Sequence, residues 1–194
     1  MFGFWIDAQT GNRFINELAN RKVRADAVLV QLNKGHTCLA IGDATTAKTF
    51  EEIRPGMLKR QLERGVVFQY ETLEALAAAH QVPLETLKAT LIEVNDSIKT
   101  GKDPLGRPVN PKMTPLQNGP WYVARLSPKV HHCMGGLLTN DNAQVYDTNG
   151  ELIPGLFAAG EATGGVHGAV RLGSCAVTDC LVNGRIAGQQ AAKS

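Results

Sequence analysis

The residues best suited to chemistry lie in the last third of the sequence, where histidines, an arginine and a glutamate stand among glycines. His131 and His132 precede Cys133 and a Gly-Gly pair, and Arg171 lies in a second glycine-rich stretch that follows Glu161. An arginine fork binds planar anions through two parallel hydrogen bonds. Dense glycine indicates that something comes close to the main chain or that the backbone adopts unusual angles. These residues predict that something approaches the main chain closely, and a surface salt bridge is the alternative to anion binding for Arg171.

The His131-His132-Cys133 run also has the side chains of a metal site, because imidazole and thiolate are good ligands. Adjacent ligands make a poor tetrahedral cage, however, and no CxxC or HxxxH motif completes one. We therefore expect no metal. The four cysteines show no evident pairing pattern, and we interpret them as reduced structural thiols.

A helix is predicted to follow Arg171. Apolar and small residues recur there at helical spacing, with Ser174 as a predicted N-cap: Val177, Cys180, Leu181, Gly184, Ala187, Gly188 and Ala191. Small residues on this face would let the helix lie close to a sheet or a flat ligand. The amides and dipole at such a helix start stabilise negative charge.

The sequence HHCMGG, followed by IPGLFAAGEATGGVHGAVRLG and then this helix, resembles the C-terminal flavin-domain segment of soluble fumarate reductases. These enzymes are part of the wider succinate dehydrogenase/fumarate reductase flavoprotein family. The resemblance covers nearly the whole chain and implies FAD as the cofactor.

The resemblance also implies roles for individual residues. His131 and Arg171 would bind the substrate carboxylate, Glu161 would accept hydrogen bonds from the FAD ribose, and His167 would support its loop. The remaining residues expected near the flavin lie in the same loops and at the helix start: His132, Gly160, Gly173, Ser174, Ala176 and Val177.

A further family motif lies near the beginning of the chain. Asn16–Arg21 matches NEL-x-x-R, in which the arginine is the proposed proton donor, so Arg21 is the implied acid. The family usually continues with Asp, whereas this chain has Lys22 and then Arg24. The alternative for Arg21 is a solvated basic helix face.

The implied reaction is hydride transfer from N5 of the reduced flavin to the β-carbon of an unsaturated carboxylate, with protonation of the α-carbon. Fumarate, reduced to succinate, is the implied substrate, and urocanate or another enoate is an alternative. Steroid dehydrogenases share the late glycine pattern but lack the paired histidines before MGG. The expected partners are the enoate and an electron-donor domain or protein.

No GxGxxG fingerprint, which would seat the FAD pyrophosphate, is present. We therefore interpret the chain as the C-terminal portion of a longer enzyme. The predicted fold is α+β: a mobile clamp (capping) domain over residues 1–122, and the C-terminal strands and helix of an FAD-binding domain over 123–194. A folded fragment without activity is the competing hypothesis. Retained FAD would colour the purified chain yellow, and a colourless chain would favour that competing hypothesis.

Several elements must position these residues. A helix is predicted over residues 13–32 with an irregularity near Asn20, a buried strand over 37–43, and a helix capped by Thr72. An amphipathic stripe follows Pro83: Leu84, Leu87, Leu91, Val94 and Ile98. A proline-rich loop spans residues 101–120, and a Thr-Asn-Gly turn at 148–150 predicts a hairpin.

Composition sets the remaining expectations. The net charge of +2 favours neither nucleic acid nor a membrane surface as a partner, and no apolar run approaches the length of a membrane span. No signal peptide is visible at the start. The cytoplasm is the favoured location, with the periplasm as the alternative if upstream sequence carries a signal.

Overall fold

The computed structural model describes residues 3–194 and divides into two compact units, Met1–Pro128 and Lys129–Ser194. The first unit ends later than the predicted boundary at 122/123, because the strand over residues 121–126 pairs within its sheet. The assignment of the units to a clamp and to a flavin domain stays a prediction. No helix among residues 3–194 is both long and apolar enough to cross a membrane.

The first unit is built on an antiparallel four-stranded sheet in the order β1-β2-β4-β3. Its elements along the chain are β1 (Phe4–Asp7), α1 (Arg21–Asn33), β2 (Cys38–Gly42), α2 (Ala44–Ile53), α3 (Met57–Glu63), β3 (Val67–Tyr70), α4 (Leu73–His80), α5 (Leu84–Thr100) and β4 (Trp121–Leu126). Together these elements form an α+β unit, which agrees with the predicted fold class.

Alternation along the strands gives the sheet two packed faces. Phe4 and Ile6 of β1 enter the larger core, together with the buried residues of α4 and α5. Trp5, between them in sequence, points to the opposite face and packs with Val28 of α1. All five residues of the predicted α5 stripe pack in or against the larger core, so this prediction is confirmed.

Short polar side chains fix where three helices begin. Asn20, Asp43 and Thr72 each accept a hydrogen bond from the amide three residues ahead and so cap α1, α2 and α4. The Thr72 cap was predicted from the sequence.

The predicted helix over residues 13–32 is wrong over residues 13–20, and the irregularity expected near Asn20 is the start of the helix. Residues 13–20 are irregular, Arg13 forms an isolated bridge with Ile6, and α1 begins only at Arg21. The physical reason is that polar side chains in this segment are engaged outside a helix. The side chains of Arg13 and Glu17 are held in buried ion pairs, and Asn20 caps the helix that follows.

The second unit contains a hairpin and a long helix. Strands β5 (Gln144–Tyr146) and β6 (Leu152–Phe157) pair antiparallel, a 3-10 turn covers Gly160–Ala162, and α6 spans Cys175–Ala191. The predicted turn at 148–150 is confirmed. The Asp147 carboxylate accepts hydrogen bonds from the amides of Asn149 and Glu151, and Gly150 adopts a φ of 85° that favours glycine.

Candidate functional site

Two glycine-rich loops of the second unit lie against each other through their backbones. Leu137 forms a parallel bridge with Thr163, in which the Leu137 amide donates to the Ala162 carbonyl at 2.9 Å. The Gly164 amide returns a bond of 3.0 Å to the Leu137 carbonyl. These bonds join the segment that carries His131 and His132 to the segment that carries Glu161.

Glycine is required where these loops meet. A Cβ on Gly136 would lie 2.4 Å from the Ala162 carbonyl oxygen, and one on Gly164 would lie 2.8 Å from the Gly136 nitrogen. Both distances are too short for any side chain. The glycine content predicted that something approaches the main chain closely. At Gly136 and Gly164 the group that does so is the backbone of the neighbouring loop.

The Glu161 carboxylate also joins the same two loops, through contacts with Cys133 and His132. Its Oε1 accepts a 2.8 Å hydrogen bond from the Cys133 amide, and its Oε2 lies 3.4 Å from Nδ1 of His132. The side chain remains 53% exposed. Because a carboxylate has about four acceptor positions, Glu161 keeps capacity for a further donor such as a ribose hydroxyl.

His132 is at one end of a row of polar side chains that runs to α6. Its ring meets the His167 ring edge-on, with centroids 5.1 Å apart. Nε2 of His167 lies 3.2 Å from Oδ2 of Asp179, and the Asn183 amide donates to Oδ1 of the same carboxylate at 2.6 Å. Nε2 of His132 is buried without a hydrogen-bond partner among residues 3–194.

This row agrees with the predicted supporting role of His167. Sequence reasoning missed Asp179 and Asn183. The signal that was available was the single acidic residue of this helix, with an amide one turn later on the same face.

Arg171 and His131, the two predicted carboxylate ligands, have different surroundings. Arg171 is only 9% exposed, and its Nη1 donates to the carbonyl of Leu172 at 2.9 Å. Its Nε is buried and has no hydrogen-bond partner in the described part of the chain. His131 is exposed. The burial of Arg171 argues against the alternative role, a surface salt bridge.

The start of α6 differs from the predicted cap. Ser174 does occupy the predicted N-cap position, but it adopts a φ of 69° and its side chain accepts no hydrogen bond from a helix amide. The left-handed conformation of Ser174 replaces the extended one that a capping side chain needs. Ala176 and Val177 lie in the first helical turn, where amides have no acceptor within the helix. Gly173 beside them is exposed.

The apolar stripe of α6 contacts the rest of the second unit only in part. A Cβ on Gly160 would lie 2.8 Å from the Cys180 Sγ, so the helix packs tightly at that point. Val177 and Leu181 are nevertheless 66% and 70% exposed, and Asp179 is the buried residue of the helix. The stripe therefore presents apolar surface that no described residue covers.

Arg21 lies in the first unit, as the exposed first residue of α1. The neighbouring cations are engaged. Lys22 forms an ion pair with Asp26 one turn later, and Arg24 lies over the Trp5 ring at 5.7 Å and donates to the Glu17 carbonyl.

A buried charge cluster holds the segment that leads to Arg21. Arg13 binds both oxygens of Glu17, at 2.9 and 2.8 Å, and Oδ2 of Asp103 at 2.8 Å. Glu17 also accepts the Trp5 amide at 3.1 Å, and Asn16 donates to the Gly106 carbonyl at 2.8 Å. These bonds join residues 13–17 to β1 and to the loop after α5.

No group of three or more His, Cys, Asp or Glu side chains within residues 3–194 is arranged to hold a metal ion.

Comparison with known proteins places this geometry in a family. The family described as FAD binding domain matches residues 3–177. The chain belongs to that family. Its cofactor is FAD, and its relatives include reductases named for three substrates.

The acrylate reductase flavoprotein subunit of Shewanella woodyi is 41% identical over 94% of this chain and 36% of its own length. The fumarate reductase (cytochrome) of Shewanella frigidimarina is 35% identical over 94% of this chain and 31% of its own. The urocanate reductase of Eggerthella lenta is 34% identical over 94% and 30%, respectively. The chain thus spans about a third of the length of these relatives.

Solved structures agree with this placement. The open conformation of a flavocytochrome c3 fumarate reductase aligns over 99% of this chain and 32% of its own, with 34% identity and a TM-score of 0.72. A 3-ketosteroid delta1-dehydrogenase from Sterolibacterium denitrificans aligns over 100% and 39% with a TM-score of 0.76, but at 24% identity. At that identity the steroid enzyme shares the fold alone.

The charge cluster makes the first unit sensitive to acid. Burial raises the pKa of the Asp103 carboxyl, but hydrogen bonds from Arg13 and from the amides of Arg107 and Leu105 outweigh burial, and the pKa is lowered overall. A depressed pKa in the folded state stabilises the protein above the unfolded-state value, near 3.9. This stabilisation is lost as pH falls through the folded-state pKa.

We expect Asp103→Asn to reduce the free energy of unfolding at neutral pH by about 3–5 kcal/mol, because a buried ion pair loses one partner. The variant should also lose less stability than the parent on acidification below about pH 4. Urea unfolding followed by tryptophan fluorescence reports on the first unit, because Trp5 and Trp121 both lie there. The control is Asp96→Asn, which removes an exposed carboxylate of α5. An acid dependence equal to that of the parent would contradict the role of Asp103.

Proposed function

We propose that this chain is the C-terminal portion of an FAD-dependent reductase that reduces the double bond of an unsaturated carboxylate, with fumarate to succinate as the reaction. The observation that carries the proposal is Arg171. It is a buried guanidinium with an unpartnered Nε, in a glycine loop beside the uncapped start of α6. A buried donor without a partner costs about 1–3 kcal/mol, so its retention favours a ligand that supplies the acceptor.

The residues of the second unit fit FAD. The first-turn amides of Ala176 and Val177 are suited to a negatively charged ring edge, and Glu161 keeps acceptor capacity for a ribose hydroxyl. Gly160, Gly173 and the backbone beside His132 complete the proposed contacts, with Ser174 turning the chain into the helix. Bound FAD supplies hydride from its reduced ring.

Arg171 and His131 would bind the substrate. Arg171 offers a planar fork to one carboxylate, and its burial keeps that interaction away from water, where charge pairs are weaker. His131, exposed on the first loop, would donate to the same carboxylate. Together they would withdraw electron density from the double bond and stabilise negative charge at the α-carbon.

Arg21 is the proposed proton donor at the α-carbon. Its position supports this role, because it is exposed at the start of α1 while Lys22 and Arg24 are engaged elsewhere. A guanidinium gives up its proton reluctantly, so the proposal needs a proton relay from groups outside this chain. The first unit, as the clamp, would close over the substrate and exclude water.

The proposed substrate class, unsaturated carboxylates, is broader than fumarate. The relatives act, by their names, on acrylate, fumarate and urocanate. Each of these three compounds is an unsaturated carboxylate. Arg171 and His131 address the carboxylate that these compounds share. An electron-donor domain or protein would reduce the flavin.

Arg171→Lys in the full-length enzyme should lower kcat/KM for fumarate by about ten- to a hundred-fold, because a fork that makes two parallel hydrogen bonds becomes a point charge. This corresponds to the loss of one charge-assisted hydrogen bond, about 1.5–3 kcal/mol. Arg185→Lys, an exposed change on α6, is the matched control. Activity of the Arg171→Lys enzyme close to that of the control would rule out the carboxylate role.

Arg21→Ala in the full-length enzyme should suppress reoxidation of the reduced flavin by the enoate while leaving FAD content unchanged. General acid catalysis contributes about a hundred- to ten-thousand-fold, so stopped-flow flavin absorbance measures the loss easily. The control is Lys22→Ala, the neighbouring cation that pairs with Asp26. If Arg21→Ala stays within a few-fold of the parent, Arg21 is not the acid and Arg24 becomes the next candidate.

A further inference from the structure

Asp179 is the buried residue of α6, and it is an acid. Its side chain is 4% exposed. Oδ2 lies 3.2 Å from Nε2 of His167, and Oδ1 accepts a hydrogen bond from the Asn183 amide at 2.6 Å. Within residues 3–194, no lysine or arginine forms an ion pair with this carboxylate. A buried carboxylate is unfavourable unless it is bonded, so the contact with His167 is what makes an acid tolerable on this face of the helix.

His167 ties a mostly exposed loop to α6. The loop covers residues 164–173 and joins the turn that carries Glu161 to the helix. Its first residue is held by the bond from the Gly164 amide to the Leu137 carbonyl, and its end leads directly into α6. Between these ends, the bond from His167 to Asp179 is the hydrogen bond that the described chain provides from residues 165–171 to another element.

Arg171 lies in the same loop, four residues after His167. Its Nη1 donates to the carbonyl of Leu172, so the guanidinium is bonded to its own loop and moves when the loop moves. Side chains of a binding site must keep their positions to within about 0.5 Å. A misplacement of about 1 Å can cost about a hundred-fold in rate. The restraint on the loop is therefore also a restraint on the Arg171 fork.

The His132 ring is the second restraint on His167, and it is the weaker one. The two rings meet edge-on, with centroids 5.1 Å apart. His132 in turn lies 3.4 Å from the Glu161 carboxylate, whose side chain is 53% exposed. Water weakens an exposed pair of this kind, whereas a hydrogen bond shielded from water is electrostatically stronger. The buried carboxylate of Asp179 is therefore the main anchor of the His167 ring.

We propose that Asp179 is a positioning residue: through His167 it holds the loop on which Arg171 would bind the substrate carboxylate. As a carboxylate, Asp179 accepts a charge-assisted hydrogen bond from the Nε2–H of His167. Asn183 fixes the second oxygen, so the carboxylate itself has little freedom to turn. The consequence for catalysis rests on the proposed function of Arg171, whereas the hold of Asp179 on the loop does not depend on it.

NMR on the 194-residue chain measures this hold directly. The signal to follow is the Nε proton of Arg171, a buried group that is not bonded to Asp179, and the quantity is its rate of exchange with water. Asp179→Asn leaves a neutral acceptor of the same size and should speed this exchange by about ten-fold. The matched control is Asp141→Asn, which removes an exposed carboxylate of the same unit and should leave the exchange rate unchanged.

Two substitutions of His167 test whether Asp179 acts through this residue. His167→Gln keeps an N–H donor at the position of Nε2, so the Arg171 proton should still exchange slowly. His167→Leu removes the donor and should give exchange at least as fast as Asp179→Asn does. Both variants leave Asp179 in place, so this pair decides the inference even if Asp179→Asn fails to fold.

The same change in the full-length enzyme tests the consequence for the reaction. Asp179→Asn should lower kcat/KM for fumarate by about ten-fold, mainly through a higher KM, while the FAD content stays that of the Asp141→Asn control. A parent enzyme that reduces no enoate would contradict the proposed function and leave the NMR result intact. The inference is overturned if Asp179→Asn and Asp141→Asn show the same exchange rate, or if His167→Gln and His167→Leu do. A lower kcat/KM without faster exchange would also overturn it, because Asp179 would then act by a route other than the loop.

Discussion

The first unit depends on the pairing of Arg13 with Glu17 inside the protein. Both side chains are almost inaccessible to solvent, with 2% and 1% exposure. Burying two charges costs several kcal/mol each, so such a pair is seldom a source of net stability. Its effect here is on conformation. The two oxygens of Glu17 hold Arg13 and the Trp5 amide, which keeps residues 13–20 out of a helix and lets Asn20 start α1 at Arg21. The position of the proposed proton donor follows from that constraint.

The second unit is organised by a contact of another kind. Its two glycine loops approach until only glycine fits at positions 136 and 164. The contact needs no buried charge, and Glu161 then closes it from the exposed side. The residues that surround the proposed flavin site are therefore set by backbone geometry, whereas Arg21 is set by electrostatics. A substitution at Gly136 should disturb several site residues together.

Sequence reasoning succeeded where a local pattern determines the structure. The α5 stripe, the Thr72 cap and the 148–150 turn each depend on a few neighbouring residues, and each was predicted. It failed where residues distant in sequence compete. Glu17 meets Trp5 and Arg107, the latter 90 positions away, and no periodicity reveals such partners. Ser174 lies at the N-cap position, but its backbone is left-handed and its side chain caps no amide. The family motif supplied the predicted site residues, which stay predictions, and only coordinates could reveal that Asp179 contacts His167.

The proposed flavin site gives one explanation for two features at the start of α6. Arg171 buries a donor that no described residue satisfies, and Val177 and Leu181 expose apolar surface a few residues later. In an isolated globular unit both features are unfavourable, because an unpaired buried donor costs free energy and an exposed apolar patch promotes association. A surface that binds a flat, partly apolar ring with polar edges needs both a free donor and exposed apolar side chains. In the proposed FAD complex, the amides of the helix start would meet the charged edge of the ring. The unsatisfied donor and the exposed apolar side chains are therefore the two features that the proposed contact with FAD would use.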